Sequence, residues 1–392
     1  MTCLFLRCCL LKTVYYVGFY GIDQANKHRS VLENPAATVK MNFIVSCLKE
    51  LGYKVIVVCI TYDYMQGFHG YKRIIVSDYE EYVYIPYFYV KSKGKSKGFK
   101  STSKLMLTLY LLRHLRKGTI LLTYHTLLYG QLYKRIHSKT KCRWISQVEE
   151  LYCLSRGDCF DRTALQNEES FFIDSDAFLF VNDILPQKYA GKKPYAVSYG
   201  TYSFFEGERK LDKEYINVTY TGVINEDRGV FHLLDAFEYL PMNYRLNILG
   251  FGVESEIERM IKKIENINEK SGYNRIIFHG TKMGKEYDDF LLMNQIGVSL
   301  MDTSEDISQN AFPSKIMAYL SHSMYVVSSK CKCIVESKVA DYLTFCDNDA
   351  RDISRAILSI DIQKDYSLKT EMERLRTHFC SELLNTLESG VS

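Results

Sequence analysis

The stretch Tyr220-Thr221-Gly222-Val223-Ile224, leading into Asp227-Arg228-Gly229-Val230, decides how this chain is read. An apolar run ending in Thr-Gly, a charged turn and a helical pattern from Val230 describe a strand, a turn and a helix. An α/β domain offers backbone N–H groups to a phosphate at such a place. The companion segment is Asn310-Ala311-Phe312-Pro313-Ser314-Lys315-Ile316-Met317-Ala318-Tyr319-Leu320, a loop with proline in its last turn that opens onto a short helix.

Around these two segments the second half of the chain has a regular rhythm. Apolar runs at 218–223, 245–249, 275–278, 297–300 and 324–328 read as buried strands, with helical patterns at 230–239, 254–264, 285–293 and 314–321 between them. Such alternation implies βαβ units and a parallel sheet. Several strands end at or near a glycine (Gly222, Gly250, Gly280), where an open α/β sheet turns towards its ligand crevice. The first half is less regular. A strand at 13–17 runs into Gly18-Phe19-Tyr20-Gly21, and Val39, Phe43, Cys47 and Leu51 recur at helical spacing over 36–51. Strands are expected at 54–59, 82–85, 119–122 and 143–147, then a helix over 162–173 and a strand at 177–181. The stretch 183–214, holding Pro186, Pro194 and Gly200, reads as an inter-domain connection, with the boundary near residue 205. The expected fold is therefore α/β, with one domain over 13–205 and a second over 206–367.

Bulk properties fit two domains. The chain has 392 residues, beyond the ~250–300 at which single cores stop growing. At 47% hydrophobic and 24% charged it is an ordinary globular composition. A net charge of +4 is read as too small and too evenly spread to imply a nucleic-acid partner. The twelve cysteines include no CxxC pair, and Cys8-Cys9 and Cys331-x-Cys333 lack the matching partners of a zinc site. Reduced thiols in a cytoplasmic protein are expected. No run reaches the ~20 apolar residues of a membrane span. The first ten residues lack a charged start and a small-residue cleavage site, which argues against a signal peptide; they read as a disordered or mis-assigned start, with a weak interfacial anchor as the alternative.

One segment is biased. Lysines at 91, 93, 95, 97, 100 and 104, separated mostly by Ser and Gly, are expected to form a mobile loop. Leu105, Leu109, Leu112 and Leu115 then give an apolar face to a helix carrying Arg113 and Arg116. The segment is either a solvated loop before a core helix or a contact with anionic lipid or a lipid pyrophosphate.

Candidate chemistry gathers at strand ends. Arg228 is either a surface turn charge or a bidentate partner for a diphosphate. Ser314 and Lys315 place backbone N–H groups and a cation at a helix N-terminus, an uncomfortable position for lysine unless an anion is present. Gly18 and Gly21 permit close backbone approach or simply form a tight βα turn. His125 follows the apolar run 120–122, which puts it at a strand's carboxyl end in the expected crevice, and is either a structural or a catalytic histidine. Glu149 and Glu150 follow another strand, and alternation lets at most one of them enter a site.

The order and spacing of these blocks resemble a GT-B glycosyltransferase, family 4 most closely. The resemblance rests on Tyr220-Thr221-Gly222 through Leu234, Leu249-Gly250-Phe251-Gly252, Phe278-His279-Gly280 and Phe312-Pro313-Ser314-Lys315. It extends to the glycine turn after the first strand, Glu149-Glu150-Leu151-Tyr152, and Val197-Ser198-Tyr199-Gly200. It implies two Rossmann-like, doubly wound domains facing across a cleft, the second holding the donor and the first the acceptor. It also implies a last helix, about 368–387, that packs back on the first domain. The implied roles put Gly18, Gly21 and Gly222 near the donor, with Arg228, Ser314 and Lys315 on its diphosphate. They put His125 on the transferred sugar, Asn310 orienting that sugar, and Glu149 or Glu150 on the acceptor side. No metal or cofactor is implied beyond the nucleotide sugar itself.

The departures from the family pattern are specific. Two family glutamates fall on Asn310 and Ala318, and Ala318 cannot hold ribose hydroxyls. An arginine commonly following the Thr-Gly strand is Val223, and a small residue with glycine after the helix is replaced around Ser321 to Ser323. The implied activity is retaining transfer of a sugar to a saccharide or lipid-linked acceptor in capsule, lipopolysaccharide or exopolysaccharide assembly. The implied setting is the cytoplasm, with peripheral contact at the inner membrane. A catalytically degenerate relative acting as a partner or scaffold is the other reading, carried by Ala318 and Val223. A dehydrogenase does not fit, because Gly18-Phe19-Tyr20-Gly21 lacks the GxGxxG spacing.

Overall fold

A computed structural model describes residues 12–18, 35–60, 67–92, 95–97, 99–154, 161–303, 310–363 and 366–389. The chain forms two compact units. One comprises Met1–Phe180, Pro186–Val197 and Phe379–Ser392, the other Val181–Leu185 and Ser198–His378.

In the first unit, Thr13–Gly18 and Lys54–Cys59 are runs of valine, isoleucine and tyrosine buried along nearly their whole length. Strands hidden on both faces belong to the middle of a parallel sheet. Seven parallel strands run in the order Tyr195–Val197, Ala177–Phe180, Arg143–Val148, Ile120–Tyr124, Thr13–Gly18, Lys54–Cys59, Glu80–Tyr84. Lys72–Ser77 pairs antiparallel with the last of them and closes that edge. The first strand lies between the second and the fourth parallel strands, so strand order reverses between Thr13–Gly18 and Ile120–Tyr124. In the helix Arg162–Ile173, Asp161 supplies the N-cap, accepting from Thr163 N at 2.9 Å and Ala164 N at 3.1 Å. The end of the long helix Lys369–Glu388 belongs to this unit. Phe379 stacks on Phe43 with centroids 5.5 Å apart, and the Arg143 guanidinium donates to the Thr386 carbonyl at 2.8 Å.

Three expectations for this unit are corrected. The lysine-rich segment is not simply a loop: Tyr87–Ser92 pairs antiparallel with Lys95–Lys97, and helix Phe99–His114 begins two residues later. Hairpin pairing satisfies backbone groups whatever the side chains are, so lysine, serine and glycine composition concealed it. The stretch read as a connection contains helix Ile184–Tyr189 and strand Tyr195–Val197, which pairs along Ala177–Phe180 as the sheet's outer strand. Among the cysteines, Cys153 is disulfide-bonded, contrary to the expectation of reduced thiols throughout, whereas Cys47, Cys59, Cys142, Cys331, Cys333, Cys346 and Cys380 keep their thiols outside any disulfide.

The second unit is a six-stranded, wholly parallel sheet. Its order is Ile276–Phe278, Tyr244–Phe251, Ile216–Val223, Ile296–Ser299, Tyr325–Ser329, Leu343–Cys346. Val218, Tyr220, Leu246, Ile248, Ile296 and Val298 pack with Leu233, Leu234, Phe237 and Ile357 from the covering helices into one buried cluster. This is the doubly wound order, and it reverses between Ile216–Val223 and Ile296–Ser299. Those two strands pair only at Val218↔Ile296 and Thr219↔Gly297, then diverge, whereas Ile216–Val223 stays paired with Tyr244–Phe251 throughout.

After helix Ser314–Ser321, Ser323 adopts φ +51, in the left-handed region. That conformation suits glycine and costs other residues ~1–2 kcal/mol. It is held because the Ser323 carbonyl accepts from the Arg209 guanidinium at 2.7 Å and its hydroxyl from Leu368 N at 3.3 Å. Ser323→Gly is therefore expected to be better tolerated than Ser323→Ala, which keeps the strain and loses the hydroxyl; the difference in chemical-denaturation midpoint measures it.

Candidate functional site

The diverging strands of the second unit leave a backbone amide to satisfy. Thr221 N, beyond the last pairing with Ile296–Ser299, donates instead to the Tyr319 hydroxyl at 2.9 Å. That hydroxyl also lies 3.1 Å from Thr221 Oγ1, which in turn is 3.2 Å from the Tyr287 hydroxyl. The Tyr319 ring reaches this position by crossing Gly297, where a Cβ would fall inside the ring's envelope. Tyr319 thereby pins helix Ser314–Ser321 over the strand ends, and Lys315, one turn earlier, projects in the same direction.

Lys315 Nζ lies 3.9 Å from the centroid of the Tyr220 ring. Gly222, at φ +133, gives it room: a Cβ there would lie 3.1 Å from Nζ. The residue as a whole keeps some exposure, but its ammonium end is enclosed, and that enclosure governs its titration. Burial pushes its pKa down to about 7, and the nearby Arg228 charge pushes the same way. Arg228 ends a short turn, Glu226–Arg228, in which Asn225 Oδ1 accepts from Arg228 N at 3.1 Å. The acid beside it is engaged elsewhere, since Glu226 accepts from Arg259 at 2.9 and 3.1 Å. Among the described residues neither Arg228 nor Lys315 has a carboxylate partner. The loops after the two switch strands are joined by Asp302 N donating to the Asp227 carbonyl at 2.9 Å. Pro313 gives helix Ser314–Ser321 no side-chain cap; Ile316 N bonds the Pro313 carbonyl at 3.1 Å, and the turn before it is where a helix offers N–H groups.

Gly222, Arg228, Ser314 and Lys315 thus converge on one end of the sheet in the second unit. Asn310 lies four residues before Ser314, its carbonyl accepting from the buried Asn182 side-chain amide. Val223, exposed at the strand end, gives up its carbonyl to the Tyr220 hydroxyl at 2.6 Å.

The residues of the first unit form a different picture. Gly21 lies outside the described residues. Gly18 stands at the end of the first strand, where a Cβ would lie 2.6 Å from Met41 Cε, the free end of a flexible side chain on helix Pro35–Glu50, and 3.3 Å from Tyr124 Cβ. His125 follows the strand Ile120–Tyr124 and turns inward among Tyr152, Phe171 and Phe172. Its side chain is 1% exposed, with Nε2 3.5 Å from Glu168 Oε1. Burial pushes its pKa down to about 4, against a weaker pull from the Glu150 backbone, so the ring is neutral. The expectation that it sits in an open crevice is corrected on that ground. Glu168 is fully occupied, accepting from Tyr152 N at 2.6 Å and Leu154 N at 2.7 Å. Glu149 pairs with Lys40 at 2.7 Å and accepts from Gln147, which accepts from the Tyr16 hydroxyl. Desolvation lowers the pKa of Lys40 while Glu149 opposes the shift. Glu150 bonds the Tyr152 hydroxyl. Among the described residues, no group of three or more His, Cys, Asp or Glu side chains is arranged to hold a metal.

Tyr319, Tyr287, Lys40, Gln147 and Glu168 were missed by sequence reasoning. A signal existed only for Tyr319, four residues after Lys315 and so on the same helix face.

No family model matches this chain, and no curated protein matches it. Solved structures do. A trehalose-6-phosphate structure from E. coli, bound with UDP-2-fluoro glucose, superposes with TM-score 0.69 at 11% identity, covering 96% of this chain and 99% of its own. Sucrose-phosphate synthase from Thermosynechococcus elongatus gives TM-score 0.66 at 13% identity, with 96% and 98% covered. A trehalose-6-phosphate synthase studied for glycosyl transfer with retention gives 0.64 at 11%, with 96% and 98% covered. At these identities the likeness establishes the fold: two Rossmann-like domains of the GT-B type.

The titration of Lys315 has a sign. Its pKa falls from 10.5 to about 7 on folding, so between those values the unfolded chain binds more protons than the folded one. The penalty is full below about pH 7 and fades as pH rises towards 10.5. Lys315→Met is expected to raise the melting temperature of the unliganded protein at pH 7 and to flatten its rise between pH 7 and 10, as followed by calorimetry.

Proposed function

We propose that this chain is a glycosyltransferase that moves a sugar from a nucleotide-diphosphate donor to a hydroxyl of a saccharide, free or lipid-linked. The observation that carries the reading is the pair of cations without carboxylate partners, Arg228 and Lys315, at the strand-order reversal of the second unit. An enclosed ammonium with a depressed pKa is stabilised by an anion, and a diphosphate places two charged groups within reach of both cations.

In this reading Arg228 and Lys315 hold the diphosphate, with N–H groups at the start of helix Ser314–Ser321 adding dipoles of the right sign. Gly222 lets the phosphate approach the strand end. As the bond from the anomeric carbon to the phosphate oxygen breaks, negative charge grows on the leaving diphosphate, where the cations stand. The acceptor hydroxyl forms the new bond and its proton passes to the departing phosphate. We assign Asn310 to the sugar, the Lys40–Glu149 pair to holding the acceptor side in shape, and His125 to positioning Tyr152 rather than to proton transfer. Retention and independence of a metal are proposed from the family 4 resemblance, with retention also attached to a trehalose-6-phosphate synthase of the same fold. Assembly of a surface polysaccharide is the setting we infer from the Asn310 and Phe312-Pro313-Ser314-Lys315 variant. A second reading, a degenerate scaffold, is favoured by Ala318, which offers no carboxylate to a ribose.

Thermal unfolding against UDP, GDP, ADP, CMP, dTDP and NAD separates these readings. A nucleoside diphosphate is expected to raise the melting temperature. Arg228→Ala and Lys315→Ala are each expected to weaken binding by about 1.5–3 kcal/mol, roughly ten- to a hundredfold in Kd. Because binding recharges Lys315, affinity should fall as pH rises above about 7. A response to NAD alone sinks the transferase reading. Folded protein that answers to no nucleotide is the scaffold.

A further inference from the structure

The modest net charge conceals a segregation. Between Tyr82 and Val148 the chain contains no Asp or Glu and fourteen Lys or Arg, so a total of +4 leaves −10 for the rest. Much of this stretch forms two neighbouring helices of the first unit, Phe99–His114 and Gly130–Thr140. Between them runs an open groove of about 500 Å³ lined by Leu105, Leu112, Leu132 and Ile136, with Lys104, Arg135 and Lys139 beside them. None of these three cations has an ion-pair partner among the described residues; on the same helix Lys134 is neutralised by Asp174 at 3.1 Å.

The outer face of the first helix is apolar where solvent should make it polar. Leu105 is 56% and Leu109 55% exposed, and with Thr102 and Leu112 they recur at the spacing of one helix face. The face continues onto the adjoining strands. Thr102 Oγ1 accepts from Phe88 N at 2.9 Å, and Phe88 pairs across the strands with Phe68, which is 70% exposed. Leucines and phenylalanines turned outward between unpaired cations match an interface with acyl chains below and phosphates at its rim. An acidic protein or a nucleic acid would account for the cations but not for this row of leucines.

We propose that this face of the first unit docks on a bilayer containing anionic phospholipid, the leucines entering the headgroup–acyl boundary and Lys104, Arg135 and Lys139 meeting the phosphates. The proposal does not depend on the donor site, which lies in the other unit. Co-sedimentation of the full chain with vesicles of phosphatidylcholine alone, and of phosphatidylcholine with phosphatidylglycerol, tests it. Binding is expected only to the anionic vesicles. Lys104→Gln, Arg135→Gln and Lys139→Gln together should weaken it on the order of a hundredfold. Leu105→Glu with Leu109→Glu should abolish it at the same lipid concentration, with the melting temperature and the nucleotide response unchanged. If that pair lowers the melting temperature, Leu109→Gln alone carries the test. No binding to anionic vesicles, equal binding to both kinds, or undiminished binding by a folded leucine variant overturns the proposal. Binding of duplex DNA without binding to vesicles overturns it equally.

Discussion

Much of the second unit's geometry hangs on one hydrogen bond, from Thr221 N to the Tyr319 hydroxyl. Parallel strands that diverge at a switch point expose backbone donors to the interior, and an unsatisfied one costs ~1–3 kcal/mol. Water could fill that role in an open crevice, but a tyrosine fills it here, and its ring fixes how far helix Ser314–Ser321 stands from the sheet. The ring needs Gly297 beneath it. Once the helix is placed, Lys315 has one direction to go, over Tyr220 and against Gly222. Sheet topology, a tyrosine and two glycines thus set the position of one ammonium group before any ligand is considered.

That ammonium is held at a cost to the folded state. A lysine enclosed near an arginine, with no carboxylate partner among the described residues, does nothing for folding that a methionine would not do better. Natural sequences keep such groups where the strain belongs to a site. Ala318 sharpens the point. In the proposed reading, a helix without a ribose carboxylate leaves more of the donor's binding free energy to its charged end, which is assigned to Lys315 and Arg228. The nearby tyrosines, Tyr287 and Tyr319, have pKa values raised by burial and remain neutral dipoles. They add no competing charge.

The parallel sheets were legible because buried strands are written as apolar runs. The runs around Val218, Leu246 and Val327 name their strands, and their alternation with helical spacing implies the topology. The hairpin edges were not read: Lys95–Lys97 carries composition that any loop would carry, and although Ile74-Ile75-Val76 gives Lys72–Ser77 a strand's composition, its antiparallel pairing is decided by neighbours in space. The candidate site divides the same way. Arg228, Gly222 and Lys315 stood out because strand ends, turns and helix starts have local signals. What surrounds them did not. Glu149 and Lys40 lie 109 positions apart, and the burial that neutralises His125 comes from Phe171, Phe172 and Tyr152 on other segments. A sequence shows that a histidine follows a strand, not which way its ring turns.

Charge segregation adds a constraint that folding alone does not impose. A domain built on the sheet around Val14, Val57 and Leu122 would be as stable with acids interspersed among the cations of its outer helices, and more so, because like charges repel. Helix Phe99–His114 instead has no acid to offset Lys104 or Arg113, and helix Gly130–Thr140 has none to offset Arg135 or Lys139. A solvated basic surface would not also need leucines at 105 and 109 turned outward, since exposed apolar faces invite self-association. Each feature is unfavourable alone in water, and an anionic interface relieves both at once. Under the proposed docking and the proposed transferase reading together, acceptors anchored in the same surface would be met at high local concentration, which favours a lipid-linked saccharide over a freely diffusing one.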